Sequence, residues 1–169
     1  MYEKSIEPLN KAVSDELSGV HQYMYFHFHC DNQGFDLLAN LFRKTAIEEM
    51  LHIERLAERI LFLKGDVEIH ASTGTEKIHD VADMLILAKS MEEQSINDYN
   101  KLAMECGSNA DSASRKLLEE LVMDEERHFN QFDTELENLK KFGAQYLALQ
   151  SIERSKMLST QTGANPTNP

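Results

Sequence analysis

Residues 47–63 read Ile-Glu-Glu-Met-Leu-His-Ile-Glu-Arg-Leu-Ala-Glu-Arg-Ile-Leu-Phe-Leu. Apolar side chains recur here every three or four positions, the period of a helix. Glu49 and His52 then lie one turn apart on one face, among Ile47, Leu51, Ile53 and Leu56. Residues 121–129, Leu-Val-Met-Asp-Glu-Glu-Arg-His-Phe, repeat the arrangement with Glu125 and His128. A lone Glu-x-x-His is weak evidence: Glu76 and His79 form a third, beside a non-helical stretch, and take no role. The spacing is what specifies. Glu16 precedes Glu49 by 33 residues and Glu92 precedes Glu125 by 33; Tyr23 follows Glu16 by seven and Tyr99 follows Glu92 by seven. Two halves of the chain thus carry one template, and seven residues are nearly two turns, so each Tyr shares a face with its Glu.

Working outward, the helical period extends from about Ile6 to Gln33, stopping at Gly34, and from Asp36, a candidate cap, through Lys64 to Gly65. Residues 66–80 read as an extended connection. Further helices run from about Asp80 to Cys106, ending at Gly107, and from an Asp111–Ser112 cap to Phe142, ending at Gly143. A short fifth helix covers about Ala144 to Ser155. The domain is read as residues 1–157, and 158–169 as a disordered polar tail. Four long helices of roughly 40 Å each at 1.5 Å per residue form two antiparallel hairpins. The middle connection can span roughly 50 Å extended, the bundle's whole length. The expectation is an all-α four-helix bundle with one long crossover and a short fifth C-terminal helix.

Composition agrees. The 169 residues, 41% hydrophobic and 27% charged, suit one domain with a sizeable core, and seven Gly with three Pro suit long helices. No apolar run reaches the roughly 18 residues of a membrane span, and the first residues lack the apolar stretch of a secretory signal. A cytoplasmic location is therefore expected, with Cys30 and Cys106 as buried free thiols near opposite ends of antiparallel helices. The net charge of −12 repels nucleic acid and attracts cations. No nucleic-acid or membrane partner is expected.

Folding the hairpins together brings Glu16, Glu49, His52, Glu92, Glu125 and His128 to one level of the core. Four carboxylates there would repel one another and resist desolvation; two divalent cations would neutralise them. Carboxylate-rich sites with two imidazoles suit Fe or Mn, and Zn also binds. Glu49 and Glu125 are the candidate bridging ligands, Glu16 and Glu92 the terminal ones. Tyr23 and Tyr99 are candidates to hold carboxylates by hydrogen bonds.

At these residues the sequence resembles the bacterioferritins. The resemblance covers about residues 3–156 and rests on Glu16-Leu17, Gln22-Tyr23, Glu49-Met50-Leu51-His52, residues 58–63, residues 124–128 and Gly143-Ala144-Gln145-Tyr146-Leu147. It implies a ferritin-like fold and a hollow 24-subunit shell built from dimers. It further implies an iron-storing ferroxidase that oxidises Fe(II) with O2 or H2O2 at a di-iron site within each subunit, Tyr23 beside it, and keeps ferric mineral inside. The short fifth helix favours this over a twelve-subunit Dps-like stress-protection protein; a non-haem ferritin is the other alternative. A rubrerythrin-like peroxidase lacks its CxxC module here, and a structural Zn bundle would have no redox activity.

The resemblance also implies haem b between paired subunits, with Met50 of each as axial ligand, and a small ferredoxin supplying electrons for iron release. Helix geometry turns Met50 about 130° from the Glu49–His52 face. Ala39, Ala46, Ile53 and Ala57 fall on its stripe, and Leu17, Val20, Met24 and Phe28 form a comparable stripe on the first helix, together an apolar interface. His21, His27 and His29 have no template partner and read as surface or interface residues. Lys44 stands where some relatives place an inner-surface histidine ligand to iron, which puts an inner-wall relay iron in doubt.

Overall fold

A computed structural model of the chain describes residues 2–162. A single 3-10 turn, Glu3–Ser5, leads into α1 (Ile6–Asn32), followed by α2 (Asp36–Phe62), α3 (Val81–Ser108), α4 (Ser112–Phe142) and α5 (Ala144–Thr162). The described residues contain no strand, and no helix among them is long and apolar enough to cross a membrane. α1 packs along α2 and α3 along α4, giving the two hairpins of a four-helix bundle.

Several helix ends differ from the reading above, each for a physical reason. Lys64, with φ 67°, takes the left-handed position after α2, and Gly65 does not. Gly65 is instead a close approach: a Cβ there would lie 2.7 Å from Ile6 Cγ2. Gly107 stays inside α3, and Ala110 makes the left-handed turn at φ 59°. Asp36 is the first residue of α2, not its cap; the Leu38 N–H donates to Gln150 Oε1 of α5 at 3.3 Å. Asp80 and Asp111 do cap, accepting from the Asp83 and Ser114 N–H groups. α5 continues past Ser155 to Thr162, into the segment read as tail; the first glycine after Gly143 is Gly163, so no breaker intervenes. The rest of that reading, residues 163–169, lies outside the described residues.

The core is two apolar clusters separated by a polar layer. One holds Leu9, Val13, Leu56, Ile60, Tyr99, Leu102, Cys106, Leu118 and Leu121. The other holds Tyr23, Phe26, Cys30, Leu38, Phe42, Met84, Leu85, Phe132 and Leu136. Each large apolar side chain among them contributes about 1.5–3 kcal/mol by burial. α1 runs from the first cluster to the second and α3 from the second to the first. Cys30 and Cys106 consequently sit, free and buried, in opposite clusters.

The crossover lies along one stripe of α1. Asn10, Ser14, Ser18 and Gln22, spaced four apart, meet it in order. Asn10 Nδ2 donates to the Asp66 carbonyl and Asn10 Oδ1 accepts from the Glu68 N–H, at 2.9 and 3.0 Å. Ser14 meets His70, and Ser18 meets Ser72 and the Thr73 N–H. Gln22 bonds both the N–H and the carbonyl of Glu76. The extended segment thereby satisfies part of its backbone on helix side chains, and its Ser72 N–H donates to the Ser14 carbonyl at 3.0 Å.

Candidate metal centre

Between the two clusters, each long helix gives its central inward positions to the polar layer: Glu16 from α1, Glu49 and His52 from α2, Glu92 from α3, Glu125 and His128 from α4. All six are buried. Ligand atoms of Glu16, Glu49, His52 and Glu125 lie within 4.8 Å of one another, and so do those of Glu49, Glu92, Glu125 and His128. The two quartets share Glu49 and Glu125. Glu49 and Glu125, the carboxylates next to the histidines, thus belong to both groups, and Glu16 and Glu92 to one each.

The distances give the same picture. His52 Nδ1 lies 2.9 Å from Glu49 Oε2, 3.2 Å from Glu125 Oε1 and 3.4 Å from Glu16 Oε1. His128 Nδ1 lies 3.1 Å from Glu49 Oε1, 3.2 Å from Glu125 Oε2 and 3.9 Å from Glu92 Oε2. The two imidazoles stack with centroids 6.0 Å apart. Glu16 Oε1, Glu49 Oε2, Glu125 Oε1 and His52 Nδ1 are buried without a hydrogen-bond partner although they crowd one point. Donor atoms that converge without bonding one another fit a cation between them. Oxygen-rich quartets with one imidazole each suit Fe, Mn or Zn.

The electrostatics follow. Burial first, then neighbouring carboxylates, raise Glu16 and Glu92 well above the usual carboxyl range. Burial also pushes Glu125 up, but a hydrogen bond from His128 and the imidazole of His52 close beside it outweigh that and hold this carboxylate at about 2. Burial opposes charge on both histidines, yet the carboxylates around them win. His128 rises to about 10 and His52 higher still. The Tyr23 hydroxyl donates to Glu92 Oε1 at 2.5 Å, across the bundle and not to Glu16 on its own helix. Burial, with Glu92 and Glu49 beside it, keeps that phenol protonated. Tyr99 is buried in the first apolar cluster, and burial, followed by the charge of Glu16, keeps its phenol protonated as well.

Other expected residues fall as follows. Met50 points away from the centre and is 52% exposed. Ala39 and Ala46, expected on its outer stripe, are instead buried in the second cluster, because α1 and α5 pack over that end of α2. Phe28 is exposed, whereas Leu17 and Met24 pack partly against the core. Ile47 and Leu51, read as flanking the site in the core, are exposed. His21 is exposed, but two of the three unpaired histidines are engaged inside the chain. His27 Nδ1 is 2.8 Å from the Ala39 carbonyl, and His29 stacks on Tyr25 and His79.

Glu48 and Asp124, which the sequence offers only as acidity near the site, each face a site histidine. Glu48 Oε2 is 2.6 Å from His128 Nε2, and Asp124 Oδ2 is 3.3 Å from His52 Nε2. Their sequence signal was slight: each is an acid immediately before a site Glu.

Comparison with known proteins supplies the relatives. The ferritin-like domain family matches residues 6–142. The bacterioferritin of Desulfovibrio desulfuricans is 30% identical over 145 residues, covering 86% of this chain and 81% of that protein. The bacterioferritin of Brucella melitensis is 31% identical over 140 residues, covering 83% and 87%. The crystal structure of the Desulfovibrio protein, described for its di-iron site in different catalytic states, superposes with a TM-score of 0.87 at 29% identity. That match covers 89% of this chain and 88% of the other.

Proposed function

The chain belongs to the ferritin-like family, among the bacterioferritins, and from that premise we propose that it is a ferroxidase that oxidises and stores iron. One observation carries the reading: two buried quartets that share Glu49 and Glu125, each with one histidine. Two substrate Fe(II) ions fill them, and the oxidant takes one electron from each. With H2O2 the balance is 2 Fe(II) + H2O2 + 2 H+ giving 2 Fe(III) + 2 H2O. The chain supplies geometry, charge neutralisation and a dry wall. Glu49 and Glu125 hold both ions together, Glu16 and Glu92 close the outer ends, and Tyr23 fixes one oxygen of Glu92.

The storage half of the proposal is a 24-subunit shell built from dimers, working in the cytoplasm, with Fe(III) passing inward to mineral. Haem b is proposed at the dimer interface. The half-exposed Met50 thioether of each subunit would hold the haem iron, and the group would supply a path for electrons, from a small ferredoxin, during iron release.

The test is aerobic Fe(II) titration of metal-free protein, followed by near-ultraviolet absorbance, with particle mass measured by ultracentrifugation. A fast phase saturating at two Fe(II) per chain and lost in Glu49→Ala supports the ferroxidase. Folded protein with no fast phase overturns it.

A further inference from the structure

The outer nitrogens of the two site histidines are taken by carboxylates of the opposite helix. Glu48, on α2, accepts from His128 Nε2 of α4 at 2.6 Å; Asp124, on α4, faces His52 Nε2 of α2 at 3.3 Å. The histidine on each acid's own helix lies four residues on, the spacing at which helical neighbours usually pair. The crossing is therefore set by how α2 meets α4, not by local helix geometry. Arg127 reaches both acids, at 2.9 Å from Glu48 Oε2 and 3.0 Å from Asp124 Oδ1. Arg55 adds a 3.7 Å contact to Asp124, and Lys44 lies 3.8 Å from Glu48.

We infer that Glu48 and Asp124 are positioning residues of the metal centre, each fixing the ring of the other helix's histidine so that Nδ1 offers its lone pair to the ion. A neutral imidazole has one N–H. An acceptor at Nε2 keeps the proton there and orients the ring. Without it, the tautomer carrying the proton on Nδ1 is favoured, because that atom faces three carboxylates. This tautomer cannot bind metal through Nδ1. The two arms are unequal. Glu48 makes the shorter contact and its side chain is 23% exposed against 34% for Asp124, so the His128 quartet depends more on its partner.

The inference rests on the metal-centre reading, and the experiment separates the two. Co(II) is added anaerobically to metal-free protein and its visible absorption gives two binding constants. Wild type taking up fewer than two Co(II) per chain refutes the metal-centre reading itself. With two bound, Glu48→Ala is expected to weaken one ion by about 10–100-fold and leave the other within about threefold, with a shifted Co(II) spectrum. Asp124→Ala weakens the other ion, by less. Glu48→Gln, whose amide oxygen can still accept from Nε2–H, restores most of the affinity. In a His128→Ala background Glu48→Ala adds nothing; in a His52→Ala background it keeps its full effect. Equal loss at both ions, no loss at either, or an effect of Glu48→Ala that persists without His128 overturns the inference. Circular dichroism confirms that each variant is folded, and if Glu48→Ala does not fold, Glu48→Leu carries the same comparison.

Discussion

Filling the metal centre expels protons, in a number set by the groups that hold them. At pH 7 both imidazoles are charged, since His128 is raised to about 10 and His52 further, by carboxylates that outweigh the effect of burial. Each ring must lose its Nδ1 proton to accept an ion, giving two protons per chain. Glu16 and Glu92, raised by burial and by their acidic neighbours, add up to one each, more as the pH falls. Glu125, held at about 2, adds none. The release is therefore two to four protons per chain. By linkage, two protons raise the overall constant for both ions by about 100-fold from pH 6 to 7, about 2.7 kcal/mol at 1.36 kcal/mol per proton and pH unit. The assay is anaerobic Co(II) or Zn(II) titration in dilute buffer with an indicator dye, checked by calorimetry in buffers of different protonation enthalpy. Fewer than two protons per chain, or an affinity flat between pH 6 and 7, would refute the assignment of His52 and His128 as charged in the metal-free state and as ligands in the filled one.

Asp111 is fully buried, caps α4 through Ser114 and pairs with Arg59 Nη2 at 2.6 Å, so Asp111→Ala should cost about 3–5 kcal/mol in urea unfolding. Burial works against its charge, but the Ser114 and Arg59 contacts outweigh it and lower its pKa. Its contribution is therefore present above about pH 4 and lost as pH falls through the lowered value. A loss under about 1 kcal/mol would show the network to be unimportant. Ser18→Ala removes the bonds to Ser72 and the Thr73 N–H and should cost about 1–2 kcal/mol, with faster amide exchange confined to residues near 72–73. Unchanged protection there would count against the crossover being held by the α1 stripe.

The bundle, its crossover and the six converging side chains were legible because they depend on periodicity and spacing, which survive in one dimension. What stayed hidden depends on which surfaces meet. Nothing local tells Glu48 to pair with His128 instead of His52; the register of α2 against α4 decides it. Gly65 and Gly107 looked like helix stops, but Gly65 is reserved for Ile6, and a Cβ on Gly107 would lie 3.1 Å from Arg115 Cδ, contacts from distant segments. Ala39 and Ala46 shared a helical stripe with Met50, yet packing at one end of α2 buries them while Met50 stays exposed. The stripe of Asn10, Ser14, Ser18 and Gln22 was visible as a four-residue polar repeat. Its meaning required knowing that an extended segment with few backbone bonds within itself lies along it.

The arrangement also explains why a stable bundle can tolerate such a layer. The acids and imidazoles sit between two apolar clusters, so packing above and below constrains their geometry. The proton shifts then set two opposed pH responses. Glu16 and Glu92 bind protons more tightly folded than unfolded, so in metal-free protein their contribution falls as pH rises above about 4.5. The raised histidines contribute fully below about 6.5 and lose that contribution as pH rises towards 10 for His128. Glu125 works the other way, but only below its usual carboxyl range. Over the same interval metal affinity rises, because each proton lost frees a ligand atom. The empty centre is therefore least stable where an ion binds best. An ion present at 100 times its dissociation constant returns about 2.7 kcal/mol. The charge that makes the centre hard to bury empty is the charge that draws the ions into it.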